Sequence, residues 1–375
     1  MINTVDNLRR HSTFLDIRHG EGTHQADPDI IVGQAPWAEL TLHGIMQAIS
    51  CGLRLANQGT QSLWTYRDFL TPSDAQEAAE WYVSPLLRAQ QTGAYALAAY
   101  ICCQHAYLGD PIIHAVSALR EQSLGSLEGT SRKAAAERYR KLDELSKGNA
   151  DPSQPQRSKD AARTFRLAEG LPNPGQSMTD KGEELFKWVK RVTVRPGERG
   201  RSLAYLFGHG IAFRCMLAVM NGWDQNFMHV MRNYTSNTSI TALRYTVDAA
   251  TLMKRQAEVE EYRKRGLALR EENFKPMDWR YNMNLMSEPQ ALPALKVARN
   301  NAYPLSYGSS CPEGPTSYLQ LLEAVARNIT IKPFAAADAD AFTPWTETVP
   351  PMETHIPDET FMYLLRETTY PIQHR

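Results

Sequence analysis

Cysteine is scarce in this chain, and the five present (Cys51, Cys102, Cys103, Cys215 and Cys311) lack the spacing of a metal site. The adjacent pair Cys102–Cys103 stands in an apolar stretch and reads as two buried thiols. A reduced, cytoplasmic protein follows from that usage. Long apolar runs are missing too: none approaches the roughly 18 residues of a membrane helix. The polar stretch from Met1 to Ser12 has no apolar core of the kind a secretory signal needs. Nor is there any excess of charge of one sign. Lys plus Arg number 41 and Asp plus Glu number 41, which removes bulk attraction to nucleic acid or to an anionic membrane. Any anion must therefore be held by charges placed locally. Internal repeats are absent, and nothing in the sequence speaks to oligomeric state.

What is present is an ordinary globular composition, 42% hydrophobic and 22% charged, long enough for one large domain or two smaller ones. The organising stretch is Phe14-Leu-Asp-Ile-Arg-His-Gly-Glu-Gly-Thr-His24. Its apolar run from Phe14 to Ile17 predicts a buried strand that delivers Arg18 and His19 to the carboxyl edge of a sheet, where open α/β folds bind ligands. Gly20 removes a side chain where an anionic group would approach the backbone. A guanidinium fork beside an imidazole suits the holding and attack of a phosphoryl group.

A loop broken by Pro28, Gly33 and Pro36 follows, and then a helix with Thr41 as its N-cap and Ile45, Ala48, Ile49, Leu53 and Leu55 at helical spacing. A second strand, Trp81–Val83, stops at Ser84-Pro85, which predicts a helix capped by Ser84 with Pro85 at its first position. Arg88 then falls in the first turn, beside free N–H groups and the positive end of the dipole. A third strand over 111–116 leads to a loop that Gly125 and Gly129 mark as irregular, with Glu121 just beyond the strand end. Residues 130–176 hold a charged helix, with Arg132, Lys133, Arg138, Arg140 and Lys141 on a solvated face, and then a polar Pro/Gly-rich connection. An amphipathic helix over 177–192 presents Leu185, Trp188, Val189 and Val192. The run Leu203–Phe207 is a further buried strand, ending in Gly208-His209-Gly210. Residues 239–247 alternate as a last strand, expected at an edge.

After 250 the character changes. A solvated helix over 250–272 pairs Glu260 with Lys264 and Glu261 with Arg265, and more than half of the 22 prolines lie beyond 275. Helices are expected near 316–328 and 359–369. Trp279, Phe334, Trp345 and Phe361 argue against plain disorder, so 251–375 reads as a helical, proline-rich extension packed on a main domain of 10–250 with an insertion at about 130–200. The alternation of strands and helices predicts a three-layer α/β/α sandwich around a mostly parallel sheet.

Arg18-His19-Gly20-Glu21, Leu40-Thr41 through Gly44 to Gln47-Ala48, Ser84-Pro85-Leu86 with Arg88 and Gln91-Thr92, Glu121 with Leu124-Gly125 and Leu127 to Gly129, and Gly208-His209-Gly210 occur in that order. Together they resemble the histidine phosphatase superfamily, in the branch that includes cofactor-dependent phosphoglycerate mutase, and Glu21-Gly-Thr-His24 is similar to fungal and plant mutase-like variants. The resemblance spans about 14–247. It implies a phosphorylated small-molecule substrate, His19 as the nucleophile that becomes phosphohistidine, and Glu121 as general acid and base. Arg18, Arg88 and His209 would surround the phosphoryl oxygens, with Gly20, Thr23, His24 and Gly210 lining the substrate. His24 reads equally as a solvent-facing loop residue. His43, His105, His114 and His229 read as structural or exposed. No cofactor and no metal are needed, because arginine and histidine supply the charge.

Two departures bear on the reaction. Mutases of this family carry an arginine straight after the acidic residue, where this chain has Gln122, and no arginine pair follows Glu121 to grip a substrate carboxylate. Both favour hydrolysis over phosphoryl transfer between substrate hydroxyls. A third reading is a binding module that keeps the pocket without the chemistry; its mark would be loss of His19 or Glu121, and both are present.

Overall fold

The structure is a computed structural model of the chain. It describes residues 11–26, 29–56, 79–104, 111–131, 175–176, 178–193, 203–220, 237–246, 280–282, 318–352 and 356–361, with isolated positions besides. The expected helices near 140 and 260 fall largely outside these residues, as do His105, His229, Trp279 and Cys311.

Strand β1 (His11–Arg18) is apolar on both faces, as a strand covered on both sides must be: Leu15 and Ile17 enter one core and Phe14 the other. Asp16 interrupts that run and is buried as well, and burial pushes its carboxyl well above the usual range. The short helix α1 (Thr23–Ala26) and helix α2 (Leu42–Ala56) follow. Thr41 caps α2 as its sequence predicts, its Oγ1 accepting from the Gly44 amide at 3.0 Å. Strand β2 (Glu80–Val83), helix α3 (Leu87–Gln104), strand β3 (Ile112–Ala115), helix α4 (Met178–Thr193), strand β4 (Leu203–Gly208) and helix α5 (Gly210–Met220) continue the alternation. Strands β5 (Ile240–Thr246) and β6 (Arg280–Asn282), helix α6 (Tyr318–Asn328), strand β7 (Thr330–Pro333) and the short helices α7 (Ala336–Ala339) and α8 (Trp345–Thr348) complete the described elements.

The strands form one sheet in the order β6-β5-β1-β4-β2-β3-β7. The pairs β1–β4, β4–β2, β2–β3 and β3–β7 are parallel, and β5 runs antiparallel to both β1 and β6. Helices α2, α3 and α6 bury Ile49, Leu53, Tyr95 and Leu322 on one face; α4 and α5 bury Leu185, Val189, Phe213 and Met216 on the other. The fold is therefore a three-layer α/β/α sandwich with a mostly parallel sheet. Each fully buried side chain of this size contributes about 1.5–3 kcal/mol of transfer free energy, so the two cores together carry the fold. Among the described residues no helix is long and apolar enough to cross a membrane.

Three local expectations are revised. The helix expected to open at Pro85 opens at Leu87, because the Ser84 hydroxyl accepts from the Leu86 amide at 3.2 Å and closes a separate turn first. β5 is not an edge strand: β6 covers it, with Tyr245 paired to Tyr281. The residues beyond 250 do more than lie over the main domain, since they supply both edge strands, β6 and β7. The helix expected at 316–328 is α6, Trp345 and Phe361 are buried, and of the helix expected at 359–369 only the start lies among the described residues. Cys102 and Cys103 are buried free thiols.

Candidate active site

The parallel register lines up four strand ends. Arg18 pairs with Gly208, and Val83 pairs with both Phe207 and Ala115. The ladder then runs one residue past each strand: His19 N donates to Gly208 O at 2.9 Å, Ser84 N to Phe207 O at 2.8 Å and Val116 N to Val83 O at 2.8 Å. Residues that follow separate strands are thus held side by side on fixed backbone, at the sheet edge where this architecture places ligands.

His19 and His209 are both buried, with ring centroids 5.0 Å apart. The His19 Nδ1 lies 2.6 Å from Gly20 O. A carbonyl oxygen only accepts, so Nδ1 carries the proton and the neutral ring keeps its lone pair on Nε2. His209 Nε2 meets Ser84 Oγ at 2.8 Å, while its Nδ1 has no hydrogen-bond partner among the described residues. Burial, then the charges of Arg88 and Arg18, push His19 well below the ordinary histidine value; burial, then Arg88, His19, Lys181 and Arg18, do the same to His209. Both imidazoles should therefore stay neutral well below pH 6.5 in the ligand-free protein, as read by nitrogen chemical shifts across a pH titration. A midpoint at or above 6.5 for either ring would contradict this assignment.

Arg88 stands in the first turn of α3 and is almost wholly buried. Its guanidinium donates to Gly33 O at 2.8 Å and to Ala35 O at 3.4 Å, and its Nε has no partner among the described residues. Burial lowers its pKa to about 10, opposed by the charge of Glu121, so it remains a cation at neutral pH. Arg18 is partly buried at the end of β1, and burial lowers its pKa against the same Glu121 charge. Two guanidiniums and two imidazoles around one spot make a site for an anion with several oxygens.

Glu121, on a loop with no regular pattern, is held from several directions. Its Oε1 accepts from Ala212 N and from Gln122 N, each at 3.0 Å, and its own carbonyl accepts from Gln34 Nε2 at 2.6 Å. Ala212 lies in the first turn of α5, so the helix that follows His209 also anchors Glu121. The buried Lys181 of α4 donates to Ala118 O at 2.9 Å and to Glu184 at 3.1 Å, and Gln122 Nε2 donates to Gln176 O at 2.7 Å. Glu128, the other carboxylate of the loop, has Oε1 on the Leu124 amide at 2.8 Å.

The space beside Gly20 is not left for a ligand. A Cβ there would run into the Gly44 carbonyl of α2, and the Gly20 amide already donates to Thr92 Oγ1 at 3.0 Å. Gly20 is needed for close packing of the loop on α2. Gly44 is the reciprocal case, since a Cβ on it would meet the Glu21 carbonyl. Glu21 itself accepts from the Thr41 hydroxyl at 2.8 Å. Thr23 and His24 open α1, both partly buried, and the His24 ring is 5.8 Å from that of His19, beside the site rather than out in solvent. Gly210 is buried at the start of α5. His114 packs against Tyr82 and Phe334, a structural role, and His43 is exposed on α2. Asn237 is a residue that sequence reasoning missed: its Nδ2 donates to the His19 carbonyl at 2.9 Å from the turn before β5. Only a polar residue ahead of a strand marks it in the sequence. Among the described residues no group of three or more His, Cys, Asp or Glu side chains could hold a metal ion.

A family model described as the histidine phosphatase superfamily (branch 1) matches residues 15–257. Among solved structures, a mycobacterial glucosyl-3-phosphoglycerate phosphatase aligns at 16% identity over 73% of this chain and 98% of its own, with a TM-score of 0.41. A phosphoglycerate mutase from Bacillus anthracis aligns at 15% identity over 67% and 99%, TM-score 0.44. A phosphoserine phosphatase from Entamoeba histolytica aligns at 19% identity over 62% and 90%, TM-score 0.37. No curated protein matches the chain.

Proposed function

The chain belongs to the histidine phosphatase superfamily (branch 1), and from that membership together with the geometry of its site we propose that it is a phosphatase hydrolysing a small-molecule phosphate ester through a phosphohistidine on His19. The observation that carries the reading is the bond from His19 Nδ1 to Gly20 O, which leaves Nε2 as the nucleophilic atom of a neutral ring amid Arg18, Arg88 and His209. Nε2 attacks phosphorus in line, the bond from phosphorus to the ester oxygen breaks, and Glu121 gives that oxygen its proton. Water then attacks the phosphohistidine, Glu121 takes a proton from it, the P–N bond breaks and inorganic phosphate leaves. Arg18, Arg88 and His209 bind the equatorial oxygens, where charge is greatest in the transition state, and supply the charge a metal would otherwise bring. Thr23, His24 and Gly210 line the substrate, and the Gly20 loop holds His19 in place.

Hydrolysis is preferred to mutase transfer because Gln122, at the position where the mutases carry arginine, is turned to Gln176 O and offers no cation to a substrate carboxylate. Buried free thiols at Cys102, Cys103 and Cys215 favour a reducing compartment, and the cytoplasm is the one proposed. The test is phosphate release from a panel of sugar phosphates, nucleotides, inositol phosphates and prenyl diphosphates, with acid-labile label on the protein after quenching. Release from at least one class is expected. Release from none, with interconversion of phosphoglycerates instead, would replace hydrolysis by transfer.

A further inference from the structure

We propose that residues 334–345, far along the chain from every motif of the site, position the proton donor, an inference that rests on the role of Glu121 given above. β7 pairs in parallel with β3 from Thr330 to Pro333, and the ladder continues as Phe334 N donates to Ala115 O at 2.9 Å. The chain then turns, and the buried carboxylate of Asp338 closes two bonds. Its Oδ2 accepts from Ala335 N at 3.0 Å, and its Oδ1 accepts from Ser117 N at 2.7 Å. Ser117 opens the single 3₁₀ turn that runs to Leu119, and Arg120 N returns to Ser117 O at 3.0 Å just before Glu121. Asp338 thus grips the start of the turn that sets the direction of the Glu121 loop, with a short bond between a carboxylate and an amide.

The same segment holds a second wall of the site. Gln90, two residues beyond Arg88, donates to Thr343 O at 2.8 Å and to Pro85 O at 2.7 Å, and its Oε1 accepts from Trp345 N at 3.0 Å. Pro85 follows Ser84, the partner of His209. Trp345 is buried, with the Arg327 guanidinium 4.8 Å from its ring centroid. One stretch of the C-terminal region therefore joins the turn leading to Glu121 and the turn carrying Ser84. Asp338 is a positioning residue, not a catalytic one, since it reaches the chemistry through Ser117.

The test compares the parent with Asp338→Ala and Asp338→Asn. A misplacement of about 1 Å costs on the order of 10²-fold, and only a step that needs the proton donor suffers it. Asp338→Ala is therefore expected to cut kcat for an alkyl phosphate about tenfold to 10²-fold, while p-nitrophenyl phosphate hydrolysis and inhibition by inorganic phosphate stay near the parent values. Asp338→Asn, which keeps an oxygen for Ser117 N, should restore part of the loss, and it carries the same comparison if the alanine protein does not fold. Equal slowing of both substrates, or no slowing of either, overturns the proposal. Amide exchange supplies a readout independent of turnover. The Ala212 amide, which donates to Glu121, should exchange about tenfold faster in Asp338→Ala, as a lost hydrogen bond of ordinary net strength implies. The His19 and Gly20 amides should be unchanged. If the parent hydrolyses nothing, the phosphatase reading fails, and exchange at Ala212 alone decides whether Asp338 places Glu121; an unchanged rate there refutes it.

Discussion

His19→Ala protein is expected to release phosphate from the enzyme's own substrate about 10⁴- to 10⁶-fold more slowly than the parent, the scale seen when a covalent nucleophile is removed. No labelled phosphate should be trapped on it after quenching. The expectation follows from the ring's surroundings. Burial and two nearby guanidiniums keep the imidazole neutral, and the Gly20 carbonyl holds its proton on Nδ1, so the ring's lone pair is on Nε2. The neighbouring His209 does not offer a second nucleophile in the same way, because its Nε2 is on Ser84. Near-parental turnover in His19→Ala would put the nucleophile elsewhere.

Glu121→Gln should separate substrates by their leaving groups. General acid catalysis contributes about 10²- to 10⁴-fold where the departing oxygen needs a proton. An alkyl phosphate should therefore lose most of its rate, whereas p-nitrophenyl phosphate, whose leaving group departs without one, should keep most of it. The structure makes glutamine a clean replacement. The amide oxygen can still accept from Ala212 N and Gln122 N, so the loop keeps its anchors while the acid is lost. Arg88→Ala is the control: it removes charge from the phosphoryl oxygens, so both substrates should slow by similar factors and inorganic phosphate should bind more weakly. Equal slowing of the two substrates by Glu121→Gln would move the proton donor to another residue. Glu128, the other carboxylate of the loop, is then the first candidate; like Glu121 it has one oxygen on a backbone amide, that of Leu124.

Much of the arrangement behind these experiments is local and could be read from the chain. The runs Phe14–Ile17 and Leu203–Phe207 are apolar at every or nearly every position, which only a strand covered on both faces tolerates, and both are such strands. Thr41 caps its helix because a hydroxyl one residue before it finds a free amide whatever else surrounds it. Leu185, Trp188, Val189 and Val192 recur at helical spacing and are buried together. Arg18 ends a strand, His19 and His209 follow strand ends, and parallel pairing brings such ends to one edge.

What the chain did not disclose depends on partners far away in sequence. The lack of a side chain at Gly20 signals close approach but not of what; the fold answers with the backbone of α2 rather than an anion. Ser84 obeys its capping preference in part, yet its hydroxyl is also drawn to His209, 125 residues on, and the helix starts later. Asn237 holds the His19 carbonyl across 218 residues, and Asp338 holds Ser117 across 221. The position of Glu121 was the least legible of all, because its loop has no period and its anchors lie on α5, α4 and the loop of Gln34. Periodicity and capping report which face of a segment is buried and where it begins, since those preferences act within a few residues. Which remote amide a buried carboxylate or amide side chain will meet is decided only when the sheet register sets separate strand ends side by side, and in this protein that step assembled the site.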